Sequence, residues 1–98
     1  MRVKSDTSVK GLAQSIDAEL RSVGNVRLEA CGHTAINQMV KGIAASQALV
    51  HGGVYAVPDF YRFRGNRGDE ISGIQMTVYR RMNDANQSTT RDRTTPQD

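Results

Sequence analysis

CGHTAINQMVKGIAASQAL, Cys31 to Leu49, reads as a strand end handing over to an amphipathic helix. Gly32 closes a short alternating run, Thr34 offers a hydroxyl as N-cap, and apolar residues recur at Ile36, Met39, Val40, Ile43 and Leu49. The helix is predicted to end at Gly52-Gly53. On its polar side Asn37, Gln38 and Lys41 fall within about one turn of one another, near the end where free backbone N–H groups favour anions. Such a cluster is more often a solvated helix face than a site, but its chemistry suits phosphate.

Upstream, Met1 and Val3 alternate with Arg2 and Lys4 as in a short half-buried strand. Asp6, Thr7 and Ser8 offer N-caps to a helix that spaces Val9, Leu12, Ala13, Ile16, Leu20 and Val23 by threes and fours and stops at Gly24. Gly11 inside it costs up to about 1 kcal/mol relative to alanine, a cost either compensated by close approach of a neighbouring backbone or carried as a tolerated defect. From Asn25, Val26, Leu28 and Ala30 alternate with Arg27, Glu29 and Cys31, so strand, helix and strand form a crossover between parallel strands.

Downstream, Val54 to Phe63 is β-rich, with Pro58 calling for an edge strand or a bulge because it has no N–H. Arg64-Gly65-Asn66-Arg67-Gly68-Asp69 is a turn, and Ile74, Met76 and Val78 alternate with Gln75, Thr77 and Tyr79 on the way back. Ala35, Gly42 and Ser46 make one side of the second helix small, a candidate contact with a second copy. The order β-α-β-α-β-β predicts a two-layer α+β domain with both helices on one face of a mixed four-stranded sheet.

The chain has 98 residues, 38% of them hydrophobic, with five aromatics and no Trp, which makes one domain with a small core that gains from oligomerisation. Residues 1–81 are expected to form that domain. Residues 82–98 have almost nothing to bury and are expected to be a polar, flexible tail. In the tail Arg91 and Arg93 stand against Asp84, Asp92 and Asp98, a net −1, so the remainder carries +4 of a formal +3 overall. A basic body permits nucleic-acid partners. The single Cys31 fits a reducing compartment, and with no apolar leader after Met1 and no apolar run near 18 residues, a cytoplasmic, non-membrane protein is expected.

Two groups of residues could carry binding. Tyr61, Arg62, Phe63 and Arg64 alternate, which sets Arg62 and Arg64 on one face of the strand, and Arg67 adds a guanidinium at the tip. Arginine suits phosphate because its planar fork donates in pairs, and an extended arm can follow a strand or enter a minor groove. Catalysis is not expected. Cys31 and His33 have no further metal-ligand partner at the right spacing, His51 lies far along the helix, and no phosphate loop or dinucleotide fingerprint occurs. Neither a cofactor nor a metal is expected.

The central stretch resembles the stage V sporulation protein S family, whose hallmark is a strand, a Gly-containing turn and then Asn-Gln-x-Val-Lys in the second helix. Here it stands as Gly32, Asn37, Gln38, Val40 and Lys41, followed by Gly42-Ile43-Ala44. Val3-Lys4-Ser5-Asp6 looks like the family's opening strand and turn, Leu12-Ala13 and Leu20-Arg21 fit its first helix, and Val57-Pro58-Asp59-Phe60 resembles its Ile-Pro-Ala-Phe strand. The resemblance covers about residues 1–81.

It implies an Alba-like fold, in which the first loop lies near the start of the second helix and brings Lys4, Lys10 and Lys41 together. It further implies a dimer, open to higher assembly, that binds DNA or RNA without reading sequence, with a role in sporulation or development. The basic hairpin departs from the family's acidic or mixed one and moves the chain toward archaeal Alba proteins, whose arms reach along DNA. The expected binding residues are Lys4, Lys10, Asn37, Gln38, Lys41, Arg62, Arg64 and Arg67. The alternative is a regulatory protein-interaction module that oligomerises without nucleic acid.

Overall fold

A computed structural model describes residues 1–64, 68 and 70–81, with Phe63 described by its backbone alone. The tip residue Arg67 and the tail 82–98 lie outside the described residues. The elements are α1 (Val9–Ser22), β1 (Asn25–Ala30), α2 (His33–Ser46), β2 (Val54–Arg64) and β3 (Glu70–Arg80). The sheet order is β1-β3-β2, and both pairings are antiparallel. β3 is therefore central, and Pro58 lies in an edge strand, as its missing N–H requires.

The expected fourth strand is reduced to one parallel bridge between Arg2 and Glu29. Val3 N–H donates to Glu29 O at 2.8 Å and Glu29 N–H to Met1 O at 2.9 Å. Immediately afterwards the chain turns, with Lys4 N–H on Thr7 Oγ1 at 2.8 Å and Thr7 N–H on Lys4 O at 3.1 Å. Three residues before a turn are too few for a ladder. Among the described residues the sheet thus has three antiparallel strands, with a parallel component in this bridge alone.

Ser8 caps α1, its Oγ accepting from Gly11 N–H at 3.1 Å. Val23 and then Gly24, at φ 101°, close it through N–H bonds to Glu19 O. The second helix starts differently from the sequence reading: Gly32, at φ 86°, holds the N-cap position with no side-chain bond, and Thr34 lies inside the first turn. It also ends early, at Ser46. Gln47 follows and clamps the first residue of β2, its Nε2 donating to Val54 O and its Oε1 accepting from Val54 N–H, both at 3.0 Å. The chain has to turn back between these residues, so the helix cannot reach Gly52.

Both helices contact β1, and the buried strand residues Val26, Leu28, Ala30, Val54 and Val78 all fall on the same face by register. With Val3, Leu12, Ile16, Leu20, Met39 and Ile43 they form one core. Val40 and Leu49, read as part of the apolar stripe, are exposed. The small side of α2 is used within the chain: Ala35, Gly42 and Ser46 are buried, and Gly42 packs against Leu12 of α1. The expected contact of that side with a second copy is therefore replaced by a helix–helix contact.

Candidate nucleic-acid interface

The hairpin outruns the helices. Along the helix-facing side of β2, exposure rises from Val54 at 0% through half-buried Ala56 and exposed Pro58 to Phe60 at 75%. On β3 the same side goes from buried Val78 to half-buried Met76 and Ile74 and then to exposed Ser72 and Glu70. Beyond about Phe60 the two strands pair without a helical layer, from Tyr61↔Gly73 to Arg64↔Glu70. They form an arm.

The ladder continues through Arg64, so Arg62 and Arg64 share one face of the arm as the alternation requires. Both are exposed. Arg62 Nη1 lies 3.8 Å from Glu70 Oε2 with both side chains well solvated, a pairing worth at most about 1 kcal/mol. Arg64 Nη1 donates to Gly68 O at 2.8 Å, which uses one of five donors and fixes the guanidinium near the tip. Arg67, expected to join them, lies outside the described residues.

The body group is built from the turn after the N-terminal bridge and the start of α2. Lys4 is exposed, and with Arg2, Cys31 and His33 it lines a cleft of about 330 Å³ at the first residues of α2. Gln38 ties the two pieces together, its Nε2 donating to Thr7 O at 2.9 Å. This gives Gln38 a structural role that its position in a polar triplet did not reveal. Asn37 and Lys41 are exposed on α2, and Lys10 is exposed near the start of α1. The fold thus joins Lys4 to the start of α2 and leaves Arg62 and Arg64 on a separate element.

Arg2 and His33 line the cleft but are not among the expected binding residues: in the sequence Arg2 reads as the polar side of a short strand, and His33 as a histidine beside Cys31 without further metal-ligand partners. Among the described residues, no group of three or more His, Cys, Asp or Glu could hold a metal, and no helix is long and apolar enough to cross a membrane.

Alba from Thermoplasma volcanium superposes with a TM-score of 0.56, covering 82% of this chain and 100% of that one, at 15% identity. At that identity the likeness establishes the fold alone, and the α+β architecture is Alba-like. No curated protein sequence matches the chain. The family model for stage V sporulation protein S matches residues 1–81, the span that carries the Asn-Gln-x-Val-Lys segment, the Alba-like sheet and both helices, and the chain belongs to that family.

Proposed function

We propose that this protein binds nucleic acid without reading its sequence, as a small homodimer, and that it acts by binding with no catalytic step. The arm carries the reading: two exposed arginines share one face of a hairpin that extends beyond the helical layer, where a phosphate backbone can reach them clear of the helices. Arg62 and Arg64, with Arg67 of the same segment, take phosphates. Lys4, Lys10 and Lys41 form a second cationic group on the body, while the side-chain amide of Asn37 and the second amide N–H of Gln38 donate to sugar and phosphate oxygens. A second copy would double the cations presented. Family membership supports a role in sporulation or development.

One observation favours a second reading, a protein-interaction module. Phe60 is three-quarters exposed and, with Pro58 and Ile74, lines an apolar groove of about 300 Å³. Binding through that groove would survive charge reversal of the arginines. The deciding experiment is fluorescence anisotropy with labelled duplex DNA and single-stranded RNA across a salt series, beside the double variant Arg62→Ala/Arg64→Ala. The reading expects affinity to fall with salt and the variant to lose both affinity and about two units of slope on duplex DNA. Absence of binding to either nucleic acid at low salt would overturn it.

A further inference from the structure

The face of the sheet turned away from the helices carries an aromatic pair on its surface. Tyr79 of central β3 and Tyr55 of edge β2 are register partners, with ring centroids 5.2 Å apart and planes 23° from parallel. One face of Tyr55 is therefore occupied by Tyr79. Because β2 is the edge strand, the other face looks past the sheet, and Tyr55 remains 47% exposed.

Cations stand on both sides of this pair. Arg27 of β1 is exposed on the same face, one rung (about 7 Å) along and opposite Thr77. Arg81 continues the ladder, its N–H on Gly53 O at 3.0 Å, and its Nη2 donates to Val54 O at 3.4 Å, next to Tyr55. A chain crossing this face from β2 to β1 would meet Arg81, the two rings and Arg27 in turn. The acidic residues of the face, Glu29 and Asp59, share the rung beyond Arg27, and Asp59 Oδ1 accepts from Phe60 N–H at 2.8 Å. They bound the basic, aromatic end.

We propose that this outer face is a stacking platform for single-stranded nucleic acid, with a base extending the Tyr79–Tyr55 stack at the sheet edge and Arg81 and Arg27 holding the flanking phosphates. The inference rests on the nucleic-acid reading above and adds a substrate class to it. An exposed Tyr55 ring, backed by half-buried Tyr79 and flanked by guanidinium groups, matches an unpaired strand because every base offers a π-face, whereas a duplex keeps its bases stacked inside. The arm contacts phosphates and cannot make that distinction.

The test measures binding of a labelled dT 12-mer, an abasic 12-mer and a blunt 12-base-pair duplex at low salt to the full-length protein, Tyr55→Leu, Tyr55→Phe and Arg62→Ala/Arg64→Ala. Stacking expects Tyr55→Leu to lose about tenfold in affinity for the dT 12-mer and to keep its affinity for the abasic strand and the duplex. Tyr55→Phe, which keeps the ring, should stay within about twofold throughout, and the arginine variant should weaken on all three. The platform is overturned if Tyr55→Leu binds the dT 12-mer as the parent does or weakens equally on all three ligands. It is also overturned if sedimentation shows that Tyr55→Leu dissociates a dimer, since the face then belongs to a second copy. In each of these cases a weakened arginine variant leaves the broader reading standing. A parent that binds none of the three ligands removes both.

Discussion

Gly11 and Gly42 look alike in the sequence, each a glycine inside a helix, and the structure separates them. A Cβ at Gly42 would lie 2.7 Å from Leu12 Cγ and 3.1 Å from Leu12 Cβ, so α2 crosses α1 with no room for a methyl. Overpacking there costs about 1–3 kcal/mol against a helix-propensity gain of about 1. Gly42→Ala is therefore expected to lower stability by up to about 2 kcal/mol, read as a lower denaturation midpoint in urea. At Gly11 the same Cβ would meet only Ser8 Cβ and Oγ at 3.5 Å, an ordinary contact, so no backbone approach explains the glycine. Gly11→Ala should raise stability by about 0.5–1 kcal/mol in the same titration. Periodicity identifies both helices but not which glycine faces a neighbour, because that depends on the crossing of two segments about thirty residues apart. Gln38 teaches the same lesson: it reads as one of three polar residues on an exposed face, and its bond to Thr7 O exists only once the N-terminal turn has packed.

The hairpin was the most legible element, since alternation, a Gly/Asn/Asp turn and a proline that demands an edge are all local signals. At the N-terminus two alternating pairs satisfy the strand pattern, but the turn at Lys4–Thr7 leaves no length for a ladder. Glu70 was not read as a partner of the arm's arginines, since their closeness follows from the register Arg62↔Ser72 and Arg64↔Glu70. That register carries an expectation. The Arg62–Glu70 pair is solvated on both sides and contributes little to the fold, yet its carboxylate competes with phosphate for one guanidinium. Glu70→Gln should leave the thermal midpoint within about 1–2 °C of the parent and strengthen binding to duplex DNA several-fold at low salt. A large thermal loss would mean that the pair holds the arm together; unchanged affinity would mean that phosphate does not reach Arg62.

The proposed binding cations fall on different elements, exposed Lys4, Lys10 and Lys41 on the body and exposed Arg62 and Arg64 on the arm. A single nucleic-acid chain spanning both would release counterions at each, and contacts without shared partners should contribute independently. Each phosphate contact contributes about 0.9 to the slope of log affinity against log salt on duplex DNA, so removing the two arginines should flatten it by about 2 and the three lysines by up to about 3. The combined variant should show the sum. Salt titrations of the parent, Lys4→Ala/Lys10→Ala/Lys41→Ala, Arg62→Ala/Arg64→Ala and the five-fold variant against one duplex measure this directly. Additive slopes mean that one ligand bridges body and arm. A lysine variant with the parent's slope and affinity confines the interface to the hairpin and returns the body lysines to the role of a solvated surface. The duplex also keeps base stacking on the outer sheet face out of the measurement, because stacking needs unpaired bases.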